Sequence, residues 1–131
     1  MGHYVLDDLG NPVKTDDLLF WAKTIDDIKL RRVARTVFSN KTVISTVFLG
    51  IDYGSETAPL LFETLCPGDV EDRYPTWAKA LRGHKNIVAR HIRQGGGAIS
   101  VQSHEERELP KQPDQLGKPT IWERLTTKDP F

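Results

Sequence analysis

RVARTVFSNKTVISTVFLGI, running from Arg32 to Ile51, reads as a β-hairpin. Arg32–Phe38 sets Val33, Arg35 and Val37 against Arg32, Ala34, Thr36 and Phe38, the two-residue period of a strand. Ser39-Asn40-Lys41 supplies turn residues. Thr42–Ile51 is rich in β-branched residues and apolar on both sides: Val43, Val47, Leu49 and Ile51 on one, Ile44, Phe48 and Gly50 on the other. A strand that is apolar on both faces belongs in the middle of a sheet, covered at least in part on each side. The hairpin therefore predicts an antiparallel sheet with Thr42–Ile51 at its centre.

Outward from the hairpin, Asp52–Ala58 reads as a loop and Pro59–Cys66 as a third strand built on Leu60, Leu61, Phe62 and Leu65. Pro67–Tyr74 reads as a polar loop, acidic at Asp69, Glu71 and Asp72. Pro75 then precedes Thr76, a good N-cap. Trp77, Ala80, Leu81, His84, Val88 and His91 recur at spacings of three and four, with Ile87 and Ile92 widening the face. This predicts a helix over Thr76–Gln94, stopped by Gly95-Gly96-Gly97. Before the hairpin, Tyr4–Leu6 is a short extended piece and Asp7–Pro12 a turn-rich stretch. Leu18, Trp21, Ala22 and Ile25 mark one face of a helix near Asp16–Lys23, fraying toward Ile28 and capped from Thr15, Asp16 or Asp17.

The expected fold is α+β: a small antiparallel sheet of about three to four strands, packed with an N-terminal helix and a longer C-terminal helix. One domain is expected over residues 1–97. Residues 98–131, poor in large apolar side chains and carrying Pro110 and Pro113, are expected to form an extended or partly disordered tail. Ile121, Trp122 and Leu125 interrupt that composition and suggest a short docking anchor within it.

The chain has 131 residues, with 18 basic side chains balanced by 18 acidic ones. That balance excludes a protein that grips nucleic acid through net charge, though not one with a local basic face. Cys66 is the only cysteine, so no internal disulfide and no cysteine metal cluster can form. It reads as a small buried hydrophobe in a reducing compartment. Met1–Asp8 has neither the basic nor the apolar region of a secretory signal, and no apolar run reaches the roughly 18–20 residues that cross a membrane. A soluble protein of the cytoplasm is expected.

Helix Thr76–Gln94 carries Lys79, Arg82, Lys85, Arg90 and Arg93 and no acidic residue. Lys79, Arg82, Lys85 and Arg93 build a basic outer face suited to phosphates or to an acidic protein patch. The plainer reading is a solvated face answered by Asp69, Glu71 and Asp72. Arg31, Arg32 and Arg35 form a second basic cluster, but Arg32 and Arg35 point to opposite sides of their strand. No aromatic residue on the outer helix face offers a base a stacking surface.

His84 and His91, seven residues apart, stand about 10 Å apart along a helix and cannot share a metal. Gly83 in mid-helix costs about 1 kcal/mol relative to alanine and implies close approach of another backbone, the sheet's being the nearest candidate. Asp52 and Glu63 are the carboxylates nearest the apolar strands. Glu63, interrupting Leu60–Leu65, would face solvent or meet His84 or Arg35, as an acid–base pair or a structural ion pair. No nucleophile elbow and no phosphate-cradling glycine loop is present, and no cofactor or metal is expected.

Several segments resemble a family of small, functionally uncharacterised proteins encoded by bacteriophages and prophages. The most specific run is Ser45-Thr46-Val47-Phe48-Leu49-Gly50-Ile51-Asp52, followed by Pro59-Leu60-Leu61-Phe62-Glu63-Thr64, Arg73-Tyr74 with Thr76-Trp77, and Gly83-His84. Tyr4–Asp7, Gly10–Val13, Asp17–Leu19 with Trp21-Ala22, and Arg31–Ala34 complete it, so that it covers about the first ninety residues. The chain departs from the pattern at Tyr53, where many members have histidine, and at Ala78 and Lys79, where they tend to be acidic. The resemblance implies a phage or prophage origin and a bacterial cytoplasm; it implies no catalytic residues.

The favoured expectation is an accessory protein that binds a host or phage protein complex and modulates it, with binding preferred to catalysis as its mode of action. Inhibitors of host defence systems belong to that class. Two alternatives stand beside it. One is a protein that binds nucleic acid, or a nucleoprotein complex, through helix 76–94. The other is a small enzyme using Glu63 and His84.

Overall fold

The computed structural model describes residues 2–54 and 58–109. Its elements in chain order are β1 (Tyr4–Leu6), β2 (Pro12–Lys14), α1 (Leu18–Asp26), α2 (Ile28–Arg31), β3 (Arg32–Phe38), β4 (Val43–Phe48), β5 (Phe62–Leu65), β6 (Val70–Tyr74), α3 (Trp77–Gln94) and β7 (Val101–Glu106). The fold is α+β. β1 and β2 form a two-stranded ribbon, and the other five strands an antiparallel sheet in the order β6-β5-β4-β3-β7.

The hairpin read from Arg32–Ile51 is β3 and β4, and β4 is the central strand. Lys41, at φ 74°, closes its turn. α3 follows the expected bounds: the Thr76 side chain accepts the Lys79 N–H, and Gly96 at φ 60° and Gly97 at φ 89° take the left-handed positions beyond its end. α1 begins one turn past the first cap candidate, with the Asp17 carboxylate accepting the Phe20 N–H at 3.0 Å. Asp27 ends α1 and caps α2.

Two edge strands widen the sheet. β6 occupies most of the segment expected to be a polar loop; its Val70, Glu71 and Asp72 are exposed and only Tyr74 turns into the core, so no alternation announces it. β7 pairs with β3 from Ala34↔Glu106 to Phe38↔Val101. The domain thus continues past Gly97, the boundary expected from composition. β7 is exposed at every residue, and backbone pairing rather than apolar burial holds it in place. Ile121, Trp122 and Leu125 lie outside the described residues.

α3 lies across one face of the sheet, and its buried residues Ala80, His84 and Ile87 each meet a different layer. Ala80 packs with Val33, Phe48, Leu61, Phe62 and Tyr74. Ile87 packs with Phe38 and Ile44. His84 stands between these two apolar clusters. α1 and α2 sit at the end of β4, tied there by the Trp21 indole N–H donating to Gly50 O at 3.0 Å and by Arg31 Nε–H donating to Phe48 O at 3.0 Å. Among the described residues no helix is long and apolar enough to cross a membrane.

Candidate functional site

Between the two apolar clusters runs a belt of hydrogen-bonded polar side chains. Thr36, Thr46 and Thr64 sit on β3, β4 and β5, on the face that α3 covers, and all three are fully buried. Register aligns them: Thr46 lies opposite Thr64, and Thr36 opposite His104 of β7. Tyr74 OH and Thr64 Oγ1 are 3.0 Å apart, Thr64 Oγ1 and Thr46 Oγ1 2.6 Å, and Thr46 Oγ1 and His84 Nδ1 2.7 Å. The row continues from His84 Nε2 to Thr36 Oγ1 at 2.8 Å and from Thr36 Oγ1 to His104 Nδ1 at 2.6 Å. It ends at His104 Nε2 and Glu106 Oε2, 2.8 Å apart, with the Lys85 ammonium 3.8 Å from the same carboxylate oxygen.

The direction of every bond follows from the ends. An ionised Glu106 can only accept, so His104 Nε2–H donates to it, and a neutral His104 then accepts at Nδ1. The Thr36 hydroxyl donates to that nitrogen and accepts from His84 Nε2–H. His84 Nδ1 accepts from Thr46, Thr46 from Thr64, and Thr64 from Tyr74. Six bonds use six donors, none left over. Both tautomers are assigned by this network, with the proton on Nε2.

His84 has no accessible surface, and burial lowers its pKa from 6.5 to about 4; the neighbouring His104 and Lys85 push the same way against Glu106. It is a neutral imidazole with both nitrogens engaged. At the inner end, burial raises the Tyr74 phenol while its bond to Thr64 opposes the shift. At the outer end, the bond from His104 holds the Glu106 carboxyl below its usual range, helped by Lys85. Since neither imidazole presents a free lone pair, the belt is a structural polar spine rather than an acid–base centre.

The residues singled out in the sequence take other places. Glu63 does not meet His84: it faces the other side of the sheet, where Arg73 Nε–H donates to it at 3.3 Å. An acid–base pair of Glu63 and His84 is thereby excluded, because residues 62 and 64 point to α3 and residue 63 must point away. Asp52 organises its loop, accepting the backbone N–H groups of Gly54 and Leu60 at 2.7 and 2.9 Å. Gly83 is approached not by backbone but by the Tyr74 ring; a Cβ there would stand 2.2–2.4 Å from its Cε1, Cζ and OH.

The basic clusters are partly spent within the fold. Arg31 serves the carbonyls of Phe48 and Ile25, and Arg32 stands 3.8 Å from Glu105. Arg35 lies on the opposite sheet face to Thr36, half-buried. On α3, Arg90 pairs with Glu71 at 3.2 Å and Lys85 with Glu106, the solvated-face reading in part. Lys79, Arg82 and Arg93 are exposed and make no ion pair among the described residues. His91 packs against Phe38 with ring centres 4.5 Å apart and planes inclined at 60°. Cys66 is half-buried beside the Ile87 cluster, and burial raises its thiol. Among the described residues no three His, Cys, Asp or Glu side chains are placed to hold a metal ion.

A different surface stands out, one that sequence periodicity did not single out. α1 and α2 bury no residue, and Leu18, Leu19 and Phe20 are 55%, 80% and 50% exposed. Ile28 and Leu30 of α2 are exposed as well. Beside them a cleft of about 220 Å³ is lined by Leu6, Phe20, Ile25, Leu30 and Phe48, with Asp7 and Asp8 at its edge. Only Trp21 and Ile25 of the apolar helix face reach inward. Comparison of the chain with protein-family models, with curated proteins and with solved structures finds no match.

Proposed function

We propose that the chain is an accessory protein of phage or prophage origin that acts by binding another protein, and that the outer faces of α1 and α2 form its contact surface. One observation carries this reading. Five large apolar side chains, Leu18, Leu19, Phe20, Ile28 and Leu30, are exposed within thirteen residues of one another in sequence, on helices that bury nothing. Scattered exposed leucines need no explanation, but a cluster beside a cleft is the mark of an interaction site.

The rim defines the partner's chemistry. Asp16, Asp17, Asp26 and Asp27 flank the apolar residues, against Lys23 and Lys29. Arg31 and Arg107, the cations at the cleft, are turned onto backbone carbonyls. The complement is an apolar segment flanked by lysine or arginine. Nucleic acid suits this rim poorly, and Lys79, Arg82 and Arg93 alone are a small footprint for phosphates. The phage resemblance supports a partner in the bacterial cell, of either host or phage origin.

The test compares two surface variants in capture from bacterial lysate. Leu19→Glu with Phe20→Glu should abolish recovery of the partner, while Lys79→Glu with Arg82→Glu and Arg93→Glu should retain it. The reverse pattern, or capture of nucleic acid alone, would overturn the reading.

A further inference from the structure

The polar belt has one outlet to solvent, at His104 and Glu106 on β7. That strand is one of the sheet's two edges, and beside its backbone pairing with β3 its inward side-chain ties are the His104–Thr36 bond and the Lys85–Glu106 ion pair. The pairing of Arg32 with Glu105, at 3.8 Å, joins a half-buried guanidinium to an exposed carboxylate at long range and is of small effect. The state of one imidazole therefore bears on the attachment of a whole strand.

With both histidines neutral, the six bonds of the belt are satisfied by six donors. A proton added to His104 makes a seventh. Its Nδ1–H must then point at the Thr36 hydroxyl. If Thr36 accepts it and keeps its bond from His84, the Thr36 O–H has no acceptor in the belt. If instead Thr36 turns to donate to His84 Nε2, the His84 proton must move to Nδ1. Thr46 and Thr64 must then reverse, and the surplus donor emerges at Tyr74. In both cases one donor in a dry core loses its partner.

We propose that β7 is a proton-sensitive latch, closed on the β3 edge while His104 is neutral and loosened when His104 takes a proton. The groups facing His104 decide the balance. From α3, His84 and the Lys85 ammonium oppose a charge there; from β3, Thr36 can accept the new N–H only by leaving its own O–H without an acceptor in the belt. From β7, Glu106 favours the charge, but its carboxylate is already shared with Lys85. Opening would free the outer edge of β3 for pairing with another strand.

The test is hydrogen exchange followed by mass spectrometry on the full chain at pH 7.5 and 5.5, corrected for intrinsic exchange rates. Protection of residues 101–107 should fall at pH 5.5 by at least tenfold more than that of residues 43–48 and 62–65, which follow the overall loss of stability set by His84. His104→Gln, which cannot be charged, should show no such excess. In the unaltered chain, the midpoint of the loss should coincide with titration of the His104 ring followed by NMR. Unchanged protection, protection that rises with acid because Glu106 dominates, or a fall shared equally by β4 and β5 would each overturn the latch.

Discussion

Thr46 and His84 meet at 2.7 Å, hydroxyl to Nδ1, where the apolar core divides in two. Each is fully buried, and each has its remaining side-chain partner within the same belt. An imidazole in such a place is held in one orientation from both sides, and α3 with it.

Thr46→Val keeps the shape of the side chain and removes the hydroxyl. It strands His84 Nδ1 and the Thr64 hydroxyl together, so the loss should be about 2–3 kcal/mol rather than that of one exposed hydrogen bond. Urea unfolding of the variant checks this; a change within 0.5 kcal/mol would mean, on the ordinary scale of surface substitutions, that the belt adds little.

The pH dependence of stability has a definite sign. His84 has a folded pKa of about 4, lowered mainly by burial, against an ordinary value of 6.5. Between these values the unfolded chain binds more protons than the folded one. The contribution of His84 is complete above about pH 6.5 and is lost as pH falls toward 4, by about 3 kcal/mol in all. Urea unfolding at pH 7.5, 6, 5 and 4 should show the decline. NMR of the ring should show His84 still neutral at pH 5.5.

Gly83→Ala drives a methyl group into the Tyr74 ring, at 2.2–2.4 Å from three of its atoms. The ring is packed against Phe62 and Ala80 and cannot move freely, so the cost should be about 2–3 kcal/mol. Tyr74→Phe removes only the terminal donor of the belt and should cost about 1 kcal/mol. Thermal or urea unfolding of the two variants ranks them.

The sequence shows the fold through its strongest periodicities and conceals it elsewhere. β3 and α3 are legible because apolar residues recur at two or at three and four, and β4 because β-branched and apolar residues fill both of its sides. β6 and β7 are not, because edge strands exposed on one or both sides need no apolar alternation. The belt was half visible: His84 stood on an inward helix face, but its partners were ordinary threonines on strands, and His104 lay in what composition marks as tail. An inward-facing threonine in a strand register, repeated at Thr36, Thr46 and Thr64, was the available signal. The exposed leucines were hidden by success of a different kind, since the helical period near Leu18 is genuine but the domain covers only Trp21 and Ile25 of that face.

Surface and stability should separate cleanly at α1. Leu19→Glu exposes no core and breaks no hydrogen bond, so its unfolding free energy should stay within about 0.5 kcal/mol of the original. Urea unfolding decides it, and a larger loss would mean that Leu19 packs within the domain.

The most direct measurement places a photo-crosslinking residue at position 19, and separately at position 93 on the basic face of α3, in the full chain expressed in bacterial cells. Position 19 should give one discrete protein adduct, lost when Asp16 and Asp26, which cap neither helix, are reversed to lysine, and position 93 should give none. An adduct formed from position 93 and not from 19, or one indifferent to the acidic rim, would contradict the account.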